Sequence, residues 1–162
     1  MVIADRRIEV DLKAQRLTLI EGEKTRLEFP VSTARNGAGE EMGSGCTPRG
    51  LHTIRIKIGE GLPLNSVYKG RRPTGEIYSE SLAKRHPDRD WILTRILWLS
   101  GKQHGFNRGG MQDTLRRYIY IHGCPESEPM GEPRSHGCIR MRNTDLIELF
   151  DRVEAGTEVN IF

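Results

Sequence analysis

The chain has 162 residues, 36% hydrophobic and 29% charged, with a net charge of +3; this suits one soluble globular domain, 1–162, long enough to bury a core. Its basic clusters, Lys69-Gly70-Arg71-Arg72 and Arg116-Arg117, have no interleaved aromatics to stack on bases, which argues against a nucleic-acid groove. They read as solvated surface, with attraction of a small anionic substrate as the alternative, and no apolar run approaches the ~20 residues that cross a bilayer.

In chain order, Met1 to Val10 alternates apolar and charged residues and lacks the apolar core of a signal peptide. With Met1 as the natural start, the expected location is the cytoplasm; a chain trimmed of its leader would be periplasmic. Ile8–Leu12, Leu17–Leu19 and Leu27–Phe29 running into Val31 have the period-two alternation of strands. Turns are expected at Lys13-Ala14-Gln15 and Glu21-Gly22-Glu23, and a Gly-rich loop spans Asn36 to Gly50. Leu51 to Ile58 alternates again. Residues 59–90 are polar, rich in Gly and Pro, and weakly periodic. A loop that long is a lid or a substrate-shaping insertion, with a short helix at Ser79–Arg85. Trp91–Leu99 and Arg117–His122 read as strands. Asn143 or Thr144 caps a helix carrying Leu146, Ile147, Leu149, Phe150 and Val153 on one face. Gly156 ends it, and Val159–Ile161 closes the chain. The fold class is therefore mainly β, with one or two helices.

Three cysteines, Cys46, Cys124 and Cys138, are too few and odd in number for a disulfide framework; they fit a reducing compartment with a reactive thiol. Two lie in a repeated triplet, His122-Gly123-Cys124 and His136-Gly137-Cys138. Tetrahedral zinc takes such ligands, but His-x-Cys spacing is unlike the usual zinc pairs. A packing role suits any one of the four alone. Nucleophilic catalysis uses the combination: an adjacent imidazole can lower a thiol's pKa from about 8.5 to roughly 3.5–7.5, and the flanking glycines let a substrate approach the backbone.

The segments Ile121-His122-Gly123 and Ser135-His136-Gly137-Cys138-Ile139-Arg140-Met141 resemble the signature of L,D-transpeptidases with the YkuD-type catalytic domain. Weaker landmarks agree in order: Pro30-Val31-Ser32-Thr33, Thr47-Pro48-Arg49-Gly50, Thr94 to Leu99 and Arg117 to Gly123. The resemblance implies a YkuD-like β-sandwich or curled mixed sheet acting on peptidoglycan stem peptides, without metal or cofactor. It implies attack on the carbonyl of the third stem residue, the L centre of a diamino acid, with release of the D-residue at position four through a thioester. Cys138 matches the nucleophile and His122 the histidine that takes the thiol proton and later protonates the leaving amine, a contribution of about 10²–10⁴-fold. The Gly123 carbonyl occupies the position that orients this imidazole.

His136 is expected to support the thiolate or bind substrate, or to serve as a structural hydrogen-bonder. The N–H groups of Gly137 and Cys138 are the natural oxyanion donors. Arg140 matches the family arginine and is expected to pair with a substrate carboxylate or brace the site. Arg95 and Arg134 are further carboxylate candidates, Ser135 a turn or hydrogen-bonding residue, and Glu126, Glu128 and Glu132 solvated loop. Cys124 stands where the family has a small residue such as Thr, and is expected to trap Cys138 as a disulfide under oxidation. A chain without a leader meets soluble muropeptides. That favours hydrolysis, trimming the terminal D-Ala during wall recycling, over periplasmic cross-linking; a zinc or peptidoglycan-binding module is the non-enzymatic alternative.

Overall fold

The computed structural model describes residues 5–162, so the first four residues of the Met1–Val10 stretch lie outside the described residues. Among the described residues ten strands form one mixed sheet: β1 Arg6–Asp11, β2 Arg16–Glu21, β3 Lys24–Ser32, β4 Gly50–Ile58, β5 Ser66–Lys69, β6 Arg72–Ile77, β7 Ile92–Gly101, β8 Tyr120–Gly123, β9 Ile139–Met141 and β10 Glu158–Ile161. The helices are α1, Glu80–Arg85, and α2, Asn143–Phe150. Strand order is β4-β10-β1-β2-β3-β9-β8-β7-β5-β6, and β4 also pairs with β7. That extra pairing curls eight strands into a closed ring, which removes their free edges, and leaves the β5–β6 hairpin as an appendage. β1–β10 and β8–β9 are parallel.

Period-two alternation explains the core. Ile8 and Val10, Leu17 and Leu19, Leu97 and Leu99, Ile121, Ile139 and Met141, and Val159 and Ile161 all face inward. Leu146, Leu149 and Phe150 of α2, followed by Val153, complete this cluster. The opposite parity makes the outer face: Ile96 of β7 and Tyr120 of β8 pack with Tyr68 of β5, and Trp98 and Cys138 lie against them.

β7 changes partners part-way along. Leu93 and Ile92 pair with β5, whereas Ile96 to Gly101 pair with β4. The register with β8 shifts between Leu93 and Ile96. Thr94 sits inside this bulge at φ +76, a strained conformation for a β-branched residue. Its carbonyl accepts from Tyr68 OH (3.0 Å), and its hydroxyl accepts from Asn65 N–H (3.1 Å) and donates to Asn143 Oδ1 (2.6 Å).

Residues 59–90, read from sequence as a long irregular loop, contain the β5–β6 hairpin and α1, capped by Ser79 Oγ on the Leu82 N–H. The Arg117–His122 strand is shorter than its β-prone composition suggests, because Tyr118 takes φ +56. α2 begins at Asn143 behind Arg142, without a side-chain cap. Asn143 does not cap: its amide donates to Cys124 O (2.8 Å), Glu126 Oε1 (3.1 Å) and Asn65 Oδ1 (3.2 Å), tying α2 to the end of β8.

Candidate active site

The parallel register of β8 and β9 sets Ile121 beside Ile139 and His122 beside Arg140. Ile121 and Ile139 point into the core, so their neighbours Tyr120, His122, Cys138 and Arg140 share the outer face. All four line one cleft of about 270 Å³ together with Arg71, Asp90, Arg117, Tyr118 and His136. Tyr118 to His122 and Ser135 to Arg140 thus meet from two strands that are adjacent in space but separated by a loop in sequence.

The turn that presents Cys138 is held at several points. Ser135 Oγ donates to the Cys138 carbonyl at 2.5 Å and accepts from the Gly137 N–H at 3.2 Å. Thr47 Oγ1 donates to the Gly137 carbonyl at 2.9 Å. Gly137 has φ +135, and a Cβ there would lie 3.2 Å from the Cys46 carbonyl and 3.3 Å from Ile119, so only glycine fits without strain. One expected oxyanion donor is corrected: the Gly137 N–H is occupied by Ser135.

Cys138 is partly exposed at the cleft floor. Its thiol donates to Tyr118 O at 3.3 Å and accepts from the Tyr120 N–H at 3.3 Å. Burial pushes the thiol up to about 12, against smaller lowering effects of the Tyr120 N–H, Arg140 and Arg117. His122 is buried, and its Nδ1 lies 2.7 Å from the Gly123 carbonyl. The carbonyl can only accept, so Nδ1 carries the proton and Nε2 is the basic nitrogen. Burial also holds this imidazole below its ordinary pKa. Burial thus works against a stored thiolate and imidazolium, the charges that proximity of the two groups alone would favour.

Alkylation of Cys138 by iodoacetamide, read by mass spectrometry, is expected to rise about tenfold per pH unit across roughly pH 7 to 9 without a plateau. Saturation below about pH 7.5 would instead mean a stored thiolate.

Arg140 is buried, with Nη2 3.6 Å from Asp90 Oδ1 and Nη1 3.5 Å from Glu128 Oε2. These are long contacts for a guanidinium and leave it available to a better-placed carboxylate. His136 is a rim residue, its side chain 72% exposed and 4.0 Å from Asp90. Two expected carboxylate binders lie outside the cleft. Arg95 is buried with Nη1 on Leu62 O (2.9 Å) and Thr94 O (2.7 Å), so it braces the β7 bulge and the loop before β5. Arg134 is exposed and paired with Glu132 at 2.8 Å.

The expected Cys124–Cys138 disulfide is overturned. Cys138 stands one residue before the paired stretch and Cys124 one residue after it. Four residues of strand at about 3.3 Å each separate them by roughly 13 Å, whereas a bridge needs Cα atoms within about 7 Å. Cys124 is buried, and burial raises its thiol to about 12, so it is inert. The same separation prevents the two His-x-Cys pairs from converging on one metal, and among the described residues no three His, Cys, Asp or Glu side chains do so.

Sequence reasoning missed Arg71, Asp90, Arg117, Tyr118 and Tyr120. Two of these belong to the basic clusters read as surface. Arg117 reaches into the cleft wall, where it donates to Gly39 O (3.1 Å), Ser44 Oγ (3.3 Å) and Cys46 O (2.7 Å), fixing the Gly-rich loop beside Gly137.

Residues 5–161 match the family model of the YkuD L,D-transpeptidase catalytic domain. The chain belongs to this family. It is 26% identical over 152 residues to the putative L,D-transpeptidase YqjB of Bacillus subtilis, covering 94% of this chain and 68% of that protein. It is 27% identical over 126 residues to the probable L,D-transpeptidase YbiS of Escherichia coli, covering 69% of this chain and only 39% of that one. The fold is similar to that of L,D-transpeptidase 3 from Mycobacterium tuberculosis in complex with a faropenem-derived adduct, with a TM-score of 0.60 at 17% identity over 98% of this chain and 60% of that chain. The mostly β fold with two helices is that of the family. No described helix is long and apolar enough to cross a membrane.

Proposed function

We propose that this protein is a cysteine L,D-carboxypeptidase that removes the terminal D-Ala from peptidoglycan tetrapeptide stems. The observation that carries the reading is the shared outer face of β8 and β9, which puts the Cys138 thiol, the His122 imidazole and the Arg140 guanidinium in one cleft.

In this mechanism His122 Nε2 takes the thiol proton as Sγ attacks the carbonyl of the third residue. Coupling the two events avoids a stored thiolate, which the buried site disfavours. The tetrahedral oxyanion is met by the Cys138 N–H, since the Gly137 N–H is already bonded; one such donor is worth about 10²–10³ in rate. Collapse breaks the C–N bond, and the imidazolium returns its proton to the departing D-Ala amine. Water then attacks the thioester, giving its proton to His122, and the thiol leaves reprotonated. The Gly123 carbonyl fixes the imidazole tautomer throughout. Arg140 anchors a substrate carboxylate in place of its long contacts to Asp90 and Glu128.

Two observations support water as the acceptor and the cytoplasm as the location. The cleft is small, with the β5–β6 tip at its mouth, which suits one stem better than two. All three thiols are free, which suits a reducing compartment; the substrates there are soluble muropeptides from wall recycling. Incubation with a disaccharide tetrapeptide is expected to yield the disaccharide tripeptide and free D-Ala, identified by mass. Cross-linked dimers as the main product would replace this reading with transpeptidation.

A further inference from the structure

The tip of the β5–β6 hairpin is a two-residue turn, Gly70–Arg71, closing the Lys69–Arg72 pair. Both residues have positive φ, +55 and +66. Such a turn favours Asn or Gly at both places, so an arginine here is a poor choice for the turn itself. Its side chain crosses the cleft mouth and stacks on the aromatic wall, with Cζ 4.4 Å from the Tyr118 ring centre and 5.1 Å from that of Trp98. Nη1 donates to Tyr120 OH at 3.2 Å. Tyr118 and Tyr120 are the residues whose backbone grips the Cys138 thiol, and the guanidinium lines the same cleft as that nucleophile.

The other two arginines of the cleft already face partners within the protein. Arg117 is bonded to carbonyls and a hydroxyl, and Arg140 faces Asp90 and Glu128. Arg71 has no carboxylate within ion-pair distance among the described residues. A guanidinium pre-ordered by stacking, with donors to spare and no counter-charge, is built to receive an anion.

We infer that Arg71 is a specificity-determining residue that binds a second substrate carboxylate, distinct from the one held by Arg140. The substrate class is a stem whose third residue carries a free side-chain carboxylate, rather than its carboxamide. This rests on the reading of Cys138 as an acylating thiol on stem peptides.

The test compares kcat/KM for tetrapeptide stems that differ only in that group, carboxylate against carboxamide, in wild type and in Arg71→Asn and Arg71→Lys. Asn suits the left-handed turn, so the hairpin survives its introduction. Wild type is expected to prefer the carboxylate about 10–100-fold, the range of a charge-assisted bond. Arg71→Asn should erase the preference by slowing only the carboxylate stem, and Arg71→Lys should retain part of it. Equal wild-type rates on both stems, or an equal loss on both in Arg71→Asn, would overturn the role of Arg71 while leaving the acyl-transfer reading intact. Turnover of neither stem by wild type would overturn that reading itself.

Discussion

Cys138→Ala is expected to abolish D-Ala release, by about 10⁴-fold or more, with the fold intact. Removing a nucleophile removes the covalent route altogether, and only binding and oxyanion stabilisation remain. The structural effect is small. Cys138 sits at the edge of the outer cluster, and its loss leaves the Tyr120 N–H without its sulfur acceptor, which costs about 1 kcal/mol and about 2–4 °C in Tm. Cys138→Ser keeps an acceptor for that N–H and should recover the stability without the activity. A carbapenem supplies a second readout, because its strained β-lactam carbonyl acylates an activated thiol. Intact-mass measurement should show one adduct on wild type and none on Cys138→Ala, although Cys46 and Cys124 remain in both. An adduct on the alanine variant would move the nucleophile elsewhere, and Cys46, the other partly exposed thiol, would be the residue to examine.

Much of the site was legible because it depends on parity. In Tyr120-Ile121-His122 and in Cys138-Ile139-Arg140, a β-branched residue is flanked by functional ones. Once both isoleucines are buried, alternation sends their neighbours to the same outer face. The large strands were legible for the same reason: inward aliphatic residues at every second position leave a period-two trace. What escaped has no such trace. β5 and β6 form an appended hairpin with a mostly exposed second strand, so residues 66–77 need no alternating pattern.

Charge was the least legible property. Arg95 and Arg71 look alike in sequence, and Arg95 lies in a family landmark. Yet the β7 bulge turns Arg95 toward backbone carbonyls, while the hairpin carries Arg71 into the cleft. Neither outcome follows from local pattern, because each depends on which strand edge β7 offers to β4 and which to β5. The effect of burial on the pair escaped for a related reason. Proximity of thiol and imidazole suggests a thiolate, but burial opposes charge on both groups, and burial is known only once the strands are paired. Cys124 was misjudged by counting residues from His122: closeness along the chain placed it near the site, whereas the parallel register carries it to the far end of the strand pair.

Gly123→Ala is expected to damage stability and catalysis together. A Cβ at Gly123 would lie 2.1 Å from Asn143 Oδ1 and 2.6 Å from the Leu93 carbonyl. One of these is backbone in β7, and the other belongs to the amide that joins α2, the Thr94 bulge and the end of β8. Relief therefore requires either β8 to move from β7 or Asn143 to give up its 2.6 Å bond from Thr94 and its 2.8 Å bond to Cys124. Overpacking of this kind costs about 1–3 kcal/mol, and each buried polar group left unpaired adds about 1–3 kcal/mol. A loss of about 3 kcal/mol, or roughly 6–12 °C in Tm, is the expected result in thermal unfolding. The same movement shifts the Gly123 carbonyl from His122 Nδ1, freeing the ring to change tautomer, so kcat should fall even in the fraction that remains folded. Asn143→Ser offers the converse check. The shorter side chain makes room for the methyl group, so the double variant Gly123→Ala/Asn143→Ser should be less destabilised than the two single losses added together. Strict additivity would show that the Leu93 carbonyl alone makes position 123 a glycine.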